Sequence, residues 1–234
     1  MKRVILGIVF LLSAIGTSFG QGKPTSEQVV AAIRKQQALD HEENTFQFRI
    51  RDEKAIRFIP GKFTGLDREE CIAICSTEAG RYVSDYALLM YRTAGGTWTS
   101  GRWHSAHQHS LDVVDCNNDG IMEIILEGGA MGQGYLTSTY QLVAISNDKG
   151  SILYQNKAED GSAGAYVMNS KEGEEVSRQI EVFYEDLNKD GRLELIENIA
   201  IGLFVRYDQE QGAVLRYRKQ KNIYYWSGSK FIIR

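Results

Sequence analysis

The stretch Asp115-Cys116-Asn117-Asn118-Asp119-Gly120-Ile121-Met122-Glu123 returns 71 residues later as Asp186-Leu187-Asn188-Lys189-Asp190-Gly191-Arg192-Leu193-Glu194. Both copies read D-x-N-x-D-G-x-x-E, with oxygen-bearing side chains at positions one, three, five and nine. The glycine at position six lets the backbone turn sharply. Such a turn collects oxygen ligands around a hard cation, and calcium suits an all-protein shell better than magnesium. The pattern therefore predicts two calcium-binding loops, although Asn, Asp and Gly also form turns that bind no metal.

A third, altered copy of this pattern appears when Glu70 is aligned with Glu123 and Glu194 at position nine. Lys62 and Leu66 stand in this copy where the other two carry acidic residues. Because an ammonium group at the first ligand position repels a cation, the altered copy is predicted to be a turn without metal. We refer to the three segments as loop 1 (62–70), loop 2 (115–123) and loop 3 (186–194).

The segments that follow the three loops also correspond. Each loop leads into a short apolar run, and such runs are typical of strands covered on both faces. A tight turn with glycine then follows position nine at similar distances, at Gly96, Gly150 and Gly228. Each unit is therefore predicted to read strand, acidic turn, strand, loop, strand, tight turn, strand. The units cover about 55–105, 106–156 and 177–234, and 157–176 is predicted to be an exposed inserted loop.

The chain begins with a predicted secretory signal peptide at 1–20. Lys2 and Arg3 precede an apolar run, and the small residues Ser18 and Gly20 stand before the expected cleavage point. The mature protein is therefore expected to be exported, either to a periplasm or to the outside. No later run approaches the roughly 20 apolar residues of a membrane-spanning helix, so no membrane span is expected. The net charge of −3 argues against a nucleic-acid partner.

Between the signal peptide and the β-rich region, 21–44 is predicted to be a lead followed by a short helix, because cap-like residues at 25–28 precede good helix formers. The period then changes to two. Alternating residues at 46–50 and again at Ile56 and Phe58 predict a β-hairpin, whose first strand is expected to extend the C-terminal sheet. A single β-repeat domain is predicted from 45 to 234.

The chain has three cysteines, an odd number for an exported protein. Cys71 and Cys75 lie four residues apart in a predicted strand, which separates their Cα atoms by roughly 13 Å and prevents a disulfide between them. A bridge between Cys71 and Cys116 and three unpaired thiols both remain open at this point.

The repeated loops and hairpins resemble the FG-GAP or VCBS type of repeat, the four-stranded calcium-binding blade of integrin-like β-propellers. Phe63-Thr64-Gly65 is similar to the aromatic-Asn-Gly pattern of that family's loops, and the resemblance covers about 45–234. It implies an all-β, propeller-like array of about three four-stranded antiparallel repeats, preceded by a short N-terminal helix. The calcium ligands that it implies are the side chains of Asp115, Asn117, Asp119 and Glu123 in one site and of Asp186, Asn188, Asp190 and Glu194 in the other, with main-chain carbonyls of Ile121 and Arg192.

Propellers usually close with four to eight blades, whereas three units are counted here. An irregular ring completed by the N-terminal hairpin, three sheets around a triangular core and a combination of two chains therefore remain open, and the last would make the protein a homo-oligomer. In each case we expect two calcium ions with a structural role. The protein is then a non-enzymatic binding or structural module, with a protein or carbohydrate partner at loops such as 130–136 and 157–176.

Two alternatives follow from other residues. Glu197 lies eleven residues after Asp186, the place of the bidentate glutamate in an EF-hand, which would make the protein a calcium-responsive helix–loop–helix switch. His104, His107 and His109 lie within six residues and are of the type that binds zinc, copper or nickel. A metal-dependent enzyme is the function that this histidine cluster would imply.

Overall fold

The computed structural model describes residues 22–40, 49–52, 55–79, 82–108, 110–132, 135–160, 169–208 and 212–233. Strands make up 64% of it, with one helix, so the expectation of a β-rich fold after a short helix is confirmed. The predicted signal peptide lies outside the described residues. The elements are α1 (Ser26–Asp40), β1 (Arg49–Ile50), β2 (Arg57–Gly61), β3 (Glu70–Ala79), β4 (Tyr82–Arg92), β5 (Trp98–Gln108), β6 (Ser110–Val114), β7 (Glu123–Gly132), β8 (Tyr135–Ser146), β9 (Lys149–Asp160), β10 (Glu175–Glu185), β11 (Glu194–Asp208), β12 (Gly212–Trp226) and β13 (Phe231–Ile233).

The helix α1 begins at a reciprocal cap. The hydroxyl of Thr25 accepts a hydrogen bond from the backbone N–H of Gln28 at 3.2 Å, and the side chain of Gln28 accepts one from the N–H of Thr25 at 2.9 Å. This capping box satisfies donors that the first turn of a helix leaves without partners. The apolar side of α1, including Val29 and Ile33, is buried.

The strands form two antiparallel sheets. Sheet 1 holds β1 to β5 in four positions, because β1 and β2 both pair with the same edge of the ten-residue strand β3. Sheet 2 holds β6 to β13 in chain order. In the middle of sheet 2, β9 and β10 pair through only two residue pairs, Ser177↔Asp160 and Arg178↔Glu159. We call β6–β9 and β10–β13 the two halves of sheet 2.

The elements stack as layers, and three apolar clusters lie between them. One face of sheet 1 packs on α1, with Val29 and Ile33 against Cys71 and Leu88. The opposite face of sheet 1 packs on the first half of sheet 2, and Trp103 belongs to this cluster. The other face of that half packs on the second half, so that sheet 2 folds over on itself. This third cluster joins Leu142, Leu153 and Tyr154 to Leu195 and Phe231.

The apolar runs after loops 1 and 2 are covered on both faces, as predicted. Ile72 and Ile74 lie between the sheets, while Cys71, Ala73 and Cys75 face α1. In β7, Ile124 and Leu126 face sheet 1, whereas Ile125 faces the second half of sheet 2. Successive side chains of a strand point to opposite faces, which is why a continuous apolar run marks a middle layer.

Three expectations about particular segments were wrong. Residues 49–50 pair with β3 rather than with β2 or the C-terminal sheet, because β3 is long enough for both short strands; 46–48 lie outside the described residues. The segment 157–176 is not a loop throughout, since β9 extends to Asp160 and β10 begins at Glu175. Likewise 130–132 and 135–136 belong to β7 and β8, whose long hairpin provides backbone partners for them.

No helix in the described ranges has the length and apolar character needed to cross a membrane.

Candidate metal centre

Loops 1, 2 and 3 each connect two antiparallel strands, β2 to β3, β6 to β7 and β10 to β11. All three share one hydrogen bond, in which the backbone N–H at position two donates to the position-nine glutamate. The distances are 2.7 Å for Phe63 to Glu70, 2.9 Å for Cys116 to Glu123 and 2.8 Å for Leu187 to Glu194. The residue at position four has positive φ in every loop: Gly65, Asn118 and Lys189. The three loops therefore share this hydrogen bond and a left-handed residue at position four, whereas only loops 2 and 3 also have positive φ at position six, at Gly120 and Gly191.

In loop 2 the predicted ligands organise the turn. Asp115 accepts hydrogen bonds from the N–H groups of Asp119 at 3.2 Å and Gly120 at 2.9 Å, and Asn117 accepts one from Asp119 at 3.0 Å. Asp119 in turn accepts one from the N–H of Ile121 at 2.8 Å. Gly120 has φ 80°, a conformation that glycine adopts without strain.

Loop 3 repeats this network. Asp186 accepts from the N–H groups of Asp190 at 3.1 Å and Gly191 at 3.0 Å, and Asn188 accepts from Asp190 at 2.9 Å. Asp190 accepts from the N–H of Arg192 at 2.9 Å. In both loops, therefore, the side chains of positions one and three accept hydrogen bonds from the same backbone N–H, that of position five. The main-chain N–H groups of Ile121 and Arg192 donate hydrogen bonds within the loops, to Asp119 and Asp190. The metal ligands predicted at these two residues are their carbonyl oxygens.

The position-nine glutamates close the loops from the buried side. Glu123 is 3% exposed and accepts hydrogen bonds from the backbone N–H and the thiol of Cys116, both at 2.9 Å. Burial raises the pKa of Glu123, and the nearby carboxylates of Asp119 and Asp115 raise it further, against the lowering effect of the Cys116 hydrogen bonds. A carboxylate in such a place is stabilised in its charged form by a cation.

Loop 1 carries a cation of its own. The Arg68 guanidinium donates to Glu70 at 2.7 Å and to Asp148 at 2.8 Å, and it lies 3.7 Å from the centre of the Tyr91 ring. Glu70 is buried and also accepts hydrogen bonds from the backbone N–H and the hydroxyl of Thr64. Lys62, whose charge argued against metal, contributes its carbonyl to a hydrogen bond from Met122. Sequence reasoning missed Arg68, although an arginine in the loop that has Lys62 and Leu66 at positions one and five was an available signal.

The three loops lie in a row. The N–H of Met122 in loop 2 donates to the carbonyl of Lys62 in loop 1 at 2.7 Å, and the N–H of Leu193 in loop 3 donates to the carbonyl of Cys116 in loop 2 at 2.8 Å. A methyl group placed on Gly191 would lie 3.1 Å from the amide of Asn118. Each loop therefore touches the next one at the same end of the layers.

The side chains of loops 2 and 3 are not all placed equally well to bind a cation. Among the described residues, no three His, Cys, Asp or Glu side chains lie close enough together to hold a metal ion by themselves. Loops 2 and 3 therefore also need the Asn and main-chain oxygens that calcium accepts. In loop 3 the amide nitrogen of Asn188 faces Asp190 at 3.2 Å and Glu194 at 3.1 Å, so calcium there requires the amide to rotate. With that rotation, the side chains at positions one, three, five and nine of both loops would offer only oxygen atoms, the ligand type that calcium prefers.

The sequence left two alternatives, an EF-hand at loop 3 and a metal site at the histidine cluster. Loop 3 lies between strands, so the helix–loop–helix arrangement that the EF-hand alternative requires is wrong, and Glu197 is a buried residue of β11. The ring of His104 stacks on Tyr86, with 5.6 Å between centroids. The side chain of His107 and the whole of His109 lie outside the described residues, so the histidine cluster stays a prediction.

All three cysteines are free and buried, which excludes the bridge between Cys71 and Cys116. Cys71 and Cys75 face α1, whereas Cys116 belongs to the cluster between the halves of sheet 2.

Sequence reasoning also missed a buried polar network around Glu197, which is 1% exposed. Its carboxylate accepts hydrogen bonds from Tyr154 and Asn156 of β9, from Asn222 at 2.8 Å and from Tyr224 at 2.9 Å. The two donors of each strand are separated by one residue and therefore point to the same face. These pairs, Y-x-N and N-x-Y, were the available sequence signal.

No protein-family model, no curated protein and no solved structure matches this chain.

Proposed function

We propose that this protein is an exported, calcium-stabilised binding or structural module without enzymatic activity. In this proposal loops 2 and 3 each hold one calcium ion, and loop 1 folds without metal. Calcium stabilises the connections between strands and the row of loops. The proposal of export rests on the signal-like sequence at 1–20.

The observation that carries the calcium proposal is the contrast between loop 1 and the other two loops. Loop 1 compensates its buried Glu70 with the guanidinium of Arg68. In loops 2 and 3, none of the acidic residues forms an ion pair with any residue that the structure describes. A buried carboxylate is stabilised by an ion pair, by a metal ion or, as at Glu197, by several hydrogen-bond donors. A divalent cation in loops 2 and 3 would supply the charge that Arg68 supplies in loop 1. The uncompensated acidic residues are Asp115, Asp119 and Glu123 in loop 2 and Asp186, Asp190 and Glu194 in loop 3.

We also propose that the chain consists of three related four-stranded units in a propeller-like stack. Three features support this proposal: the shared hydrogen bond from position two to position nine, the equivalent strand–loop–strand setting of each loop, and the narrow pairing between β9 and β10. The units would be β1–β5, whose five strands occupy four positions in the sheet, β6–β9 and β10–β13.

Calcium titration by calorimetry, with thermal unfolding in parallel, tests the calcium sites. We expect two sites in the wild type and one in each of the variants Asp115→Ala and Asp186→Ala, because position one anchors each loop. At free calcium about tenfold above Kd, each site should add roughly 1.4 kcal/mol to the free energy of unfolding.

The matched control is Asp67→Ala, which removes an exposed acidic residue from loop 1. This variant should keep both calcium sites and the calcium-dependent rise of the melting temperature. No heat of binding and no thermal shift in the wild type would refute the calcium proposal. Loss of a site in Asp67→Ala would show that loop 1 binds metal after all.

A further inference from the structure

The outer edge of β12 is open over most of its length. β12 pairs with β11 from Gly212 to Tyr224, whereas β13 covers only Tyr224, Tyr225 and Trp226 on the other side. In the described part of the chain no strand pairs with the outer edge of 212–223. The backbone N–H and C=O groups that point away from β11 are therefore available to another strand.

This open edge is strongly basic. The segment 212–223 contains four cations and no acidic residue, in a chain whose net charge is −3. Arg216, Arg218, Lys219 and Lys221 are all exposed, and none of them forms an ion pair with a described residue. Positive potential is therefore concentrated beside the unpaired main chain.

Exposed aromatic and apolar side chains accompany these cations. Tyr217, between Arg216 and Arg218, is 52% exposed, and on the neighbouring strand Tyr207 is 44% and Val205 37% exposed. Tyrosine and arginine are the residue types that most often dominate the binding energy of protein interfaces. The surface thus combines main-chain partners, charge and aromatic contact area.

We propose that the outer edge of β12 binds an acidic, extended segment of a partner protein by accepting it as an additional strand. Main-chain hydrogen bonds to 212–223 hold such a segment, and its carboxylates face the cations. A second copy of this chain does not fit, because pairing two β12 edges sets cations against cations. The surface is separate from loops 2 and 3, so the inference goes beyond the calcium proposal and does not depend on it.

The first test uses a fluorescent peptide of alternating glutamate and valine, about as long as the open edge, and follows its anisotropy with the full mature chain. We expect binding at low salt that weakens as salt rises, and no binding of the equivalent lysine–valine peptide. A glutamate–valine peptide methylated on every backbone nitrogen should lose binding, because it has no N–H donor on either of its edges. Equal binding of the methylated peptide would show attraction by charge alone, as for any polyanion, and would overturn the inference. Absence of binding at low salt would also overturn it.

The second test locates the site. The double variant Arg218→Glu, Lys221→Glu should weaken peptide binding about tenfold or more. Its control, Arg102→Glu with Lys149→Glu, makes the same change of charge at two exposed residues elsewhere and should bind like the wild type. Circular dichroism and thermal unfolding establish that both variants fold. Equal weakening in the control would overturn the inference, and excess chelator should leave wild-type binding unchanged whether or not loops 2 and 3 bind calcium.

Discussion

Arg68 places a positive charge beside the buried glutamate of loop 1. Its side chain is 18% exposed and pairs with Glu70, whose side chain is fully buried. It also reaches Asp148 in the turn between β8 and β9, so that sheet 1 and sheet 2 are joined through one guanidinium. Lysine could not replace it equally well, since only the planar fork of arginine serves two carboxylates while stacking on an aromatic ring.

We expect Arg68→Ala to lower the free energy of unfolding by about 2–4 kcal/mol, because it leaves the carboxylate of Glu70 buried without its cation. Denaturant unfolding of the variant and the wild type measures this difference. The control is Arg178→Ala, which breaks the exposed pair with Glu175 and should cost less than about 1 kcal/mol. Similar losses in both variants would contradict the role assigned to Arg68.

The single side chain of Glu197 links the two halves of sheet 2. Two of its donors come from β9 in the first half, and two come from β12 in the second half. The hydroxyls of Tyr140 and Tyr184 add a second polar contact across the same interface, 2.8 Å apart. The interface between the halves is therefore held by directional hydrogen bonds as well as by apolar packing.

Replacing Glu197 by alanine should lower the free energy of unfolding by about 2–4 kcal/mol, because four donors lose their acceptor inside the protein. Thermal and denaturant unfolding measure the loss. Glu181→Ala removes an exposed glutamate of the adjacent strand β10 and should change stability by no more than about 0.5 kcal/mol. If Glu197→Ala were as harmless as this control, the network would have no part in joining the halves.

At the scale of elements, β3 is a strand whose alternate residues pack in two different interfaces, one with α1 and one with sheet 2. Cys71 and Cys75 lie against α1 and the β4 residue Tyr86, where burial raises the pKa of each thiol to about 12. The negative charge of Glu70 near Cys71 and of Asp85 near Cys75 adds to this effect. Burial also raises the pKa of Cys116, with Glu123 as the second cause.

The native protein should therefore react with no thiol reagent at about pH 8, since the thiolate is the reactive form, and the unfolded protein should expose three thiols. Because the folded-state pKa values of Cys71 and Cys75 exceed their ordinary value of 9.0, the folded state keeps these protons longer. Stability is lost as pH rises from that value towards 12. Labelling followed by mass spectrometry counts the thiols. A reactive thiol in the native protein, or only one thiol after unfolding, would contradict the buried, unpaired state.

At the scale of the whole molecule, the packing of sheet 1 on sheet 2 requires the ring of Trp103 in sheet 1 to lie close to the backbone of Gly150 in sheet 2. A methyl group there would lie 2.9 Å from the indole ring of Trp103 and 3.2 Å from Val143. Trp103 is 6% exposed, so the ring has little room to move away. The tight turn before this glycine is made by Asn147 and Asp148, both with positive φ, which is typical of a two-residue hairpin turn.

We expect Gly150→Ala to lower the free energy of unfolding by about 1–3 kcal/mol through overpacking and to shift the fluorescence of Trp103. Gly95→Ala is the matched control in another hairpin turn, where the nearest atom is 3.8 Å away; it should leave both measurements near the wild type. Unchanged stability and fluorescence in Gly150→Ala would show that the two sheets are not in close contact at this point.

The sequence by itself determined the local features of this protein. The D-x-N-x-D-G loops and the tight glycine turns depend on contacts within a few residues, and the apolar runs after loops 1 and 2 follow from residue type; the structure has a turn or strand at each of these places. The calcium sites themselves stay a prediction, because the loop pattern describes the ligands and not the ion.

Only the tertiary structure decided which distant residues meet. The choice of β3 as the partner of β1, the pairing of Arg68 with Asp148 and the convergence of Tyr154, Asn156, Asn222 and Tyr224 on Glu197 all join residues far apart in the chain. The open basic edge of β12 likewise depends on the shortness of β13. Period and turn signals state which face of a strand is apolar, but they do not state which layer will cover it. That choice is made by the packing of whole layers, in which a buried polar side chain such as Glu197 also contacts residues distant in the sequence.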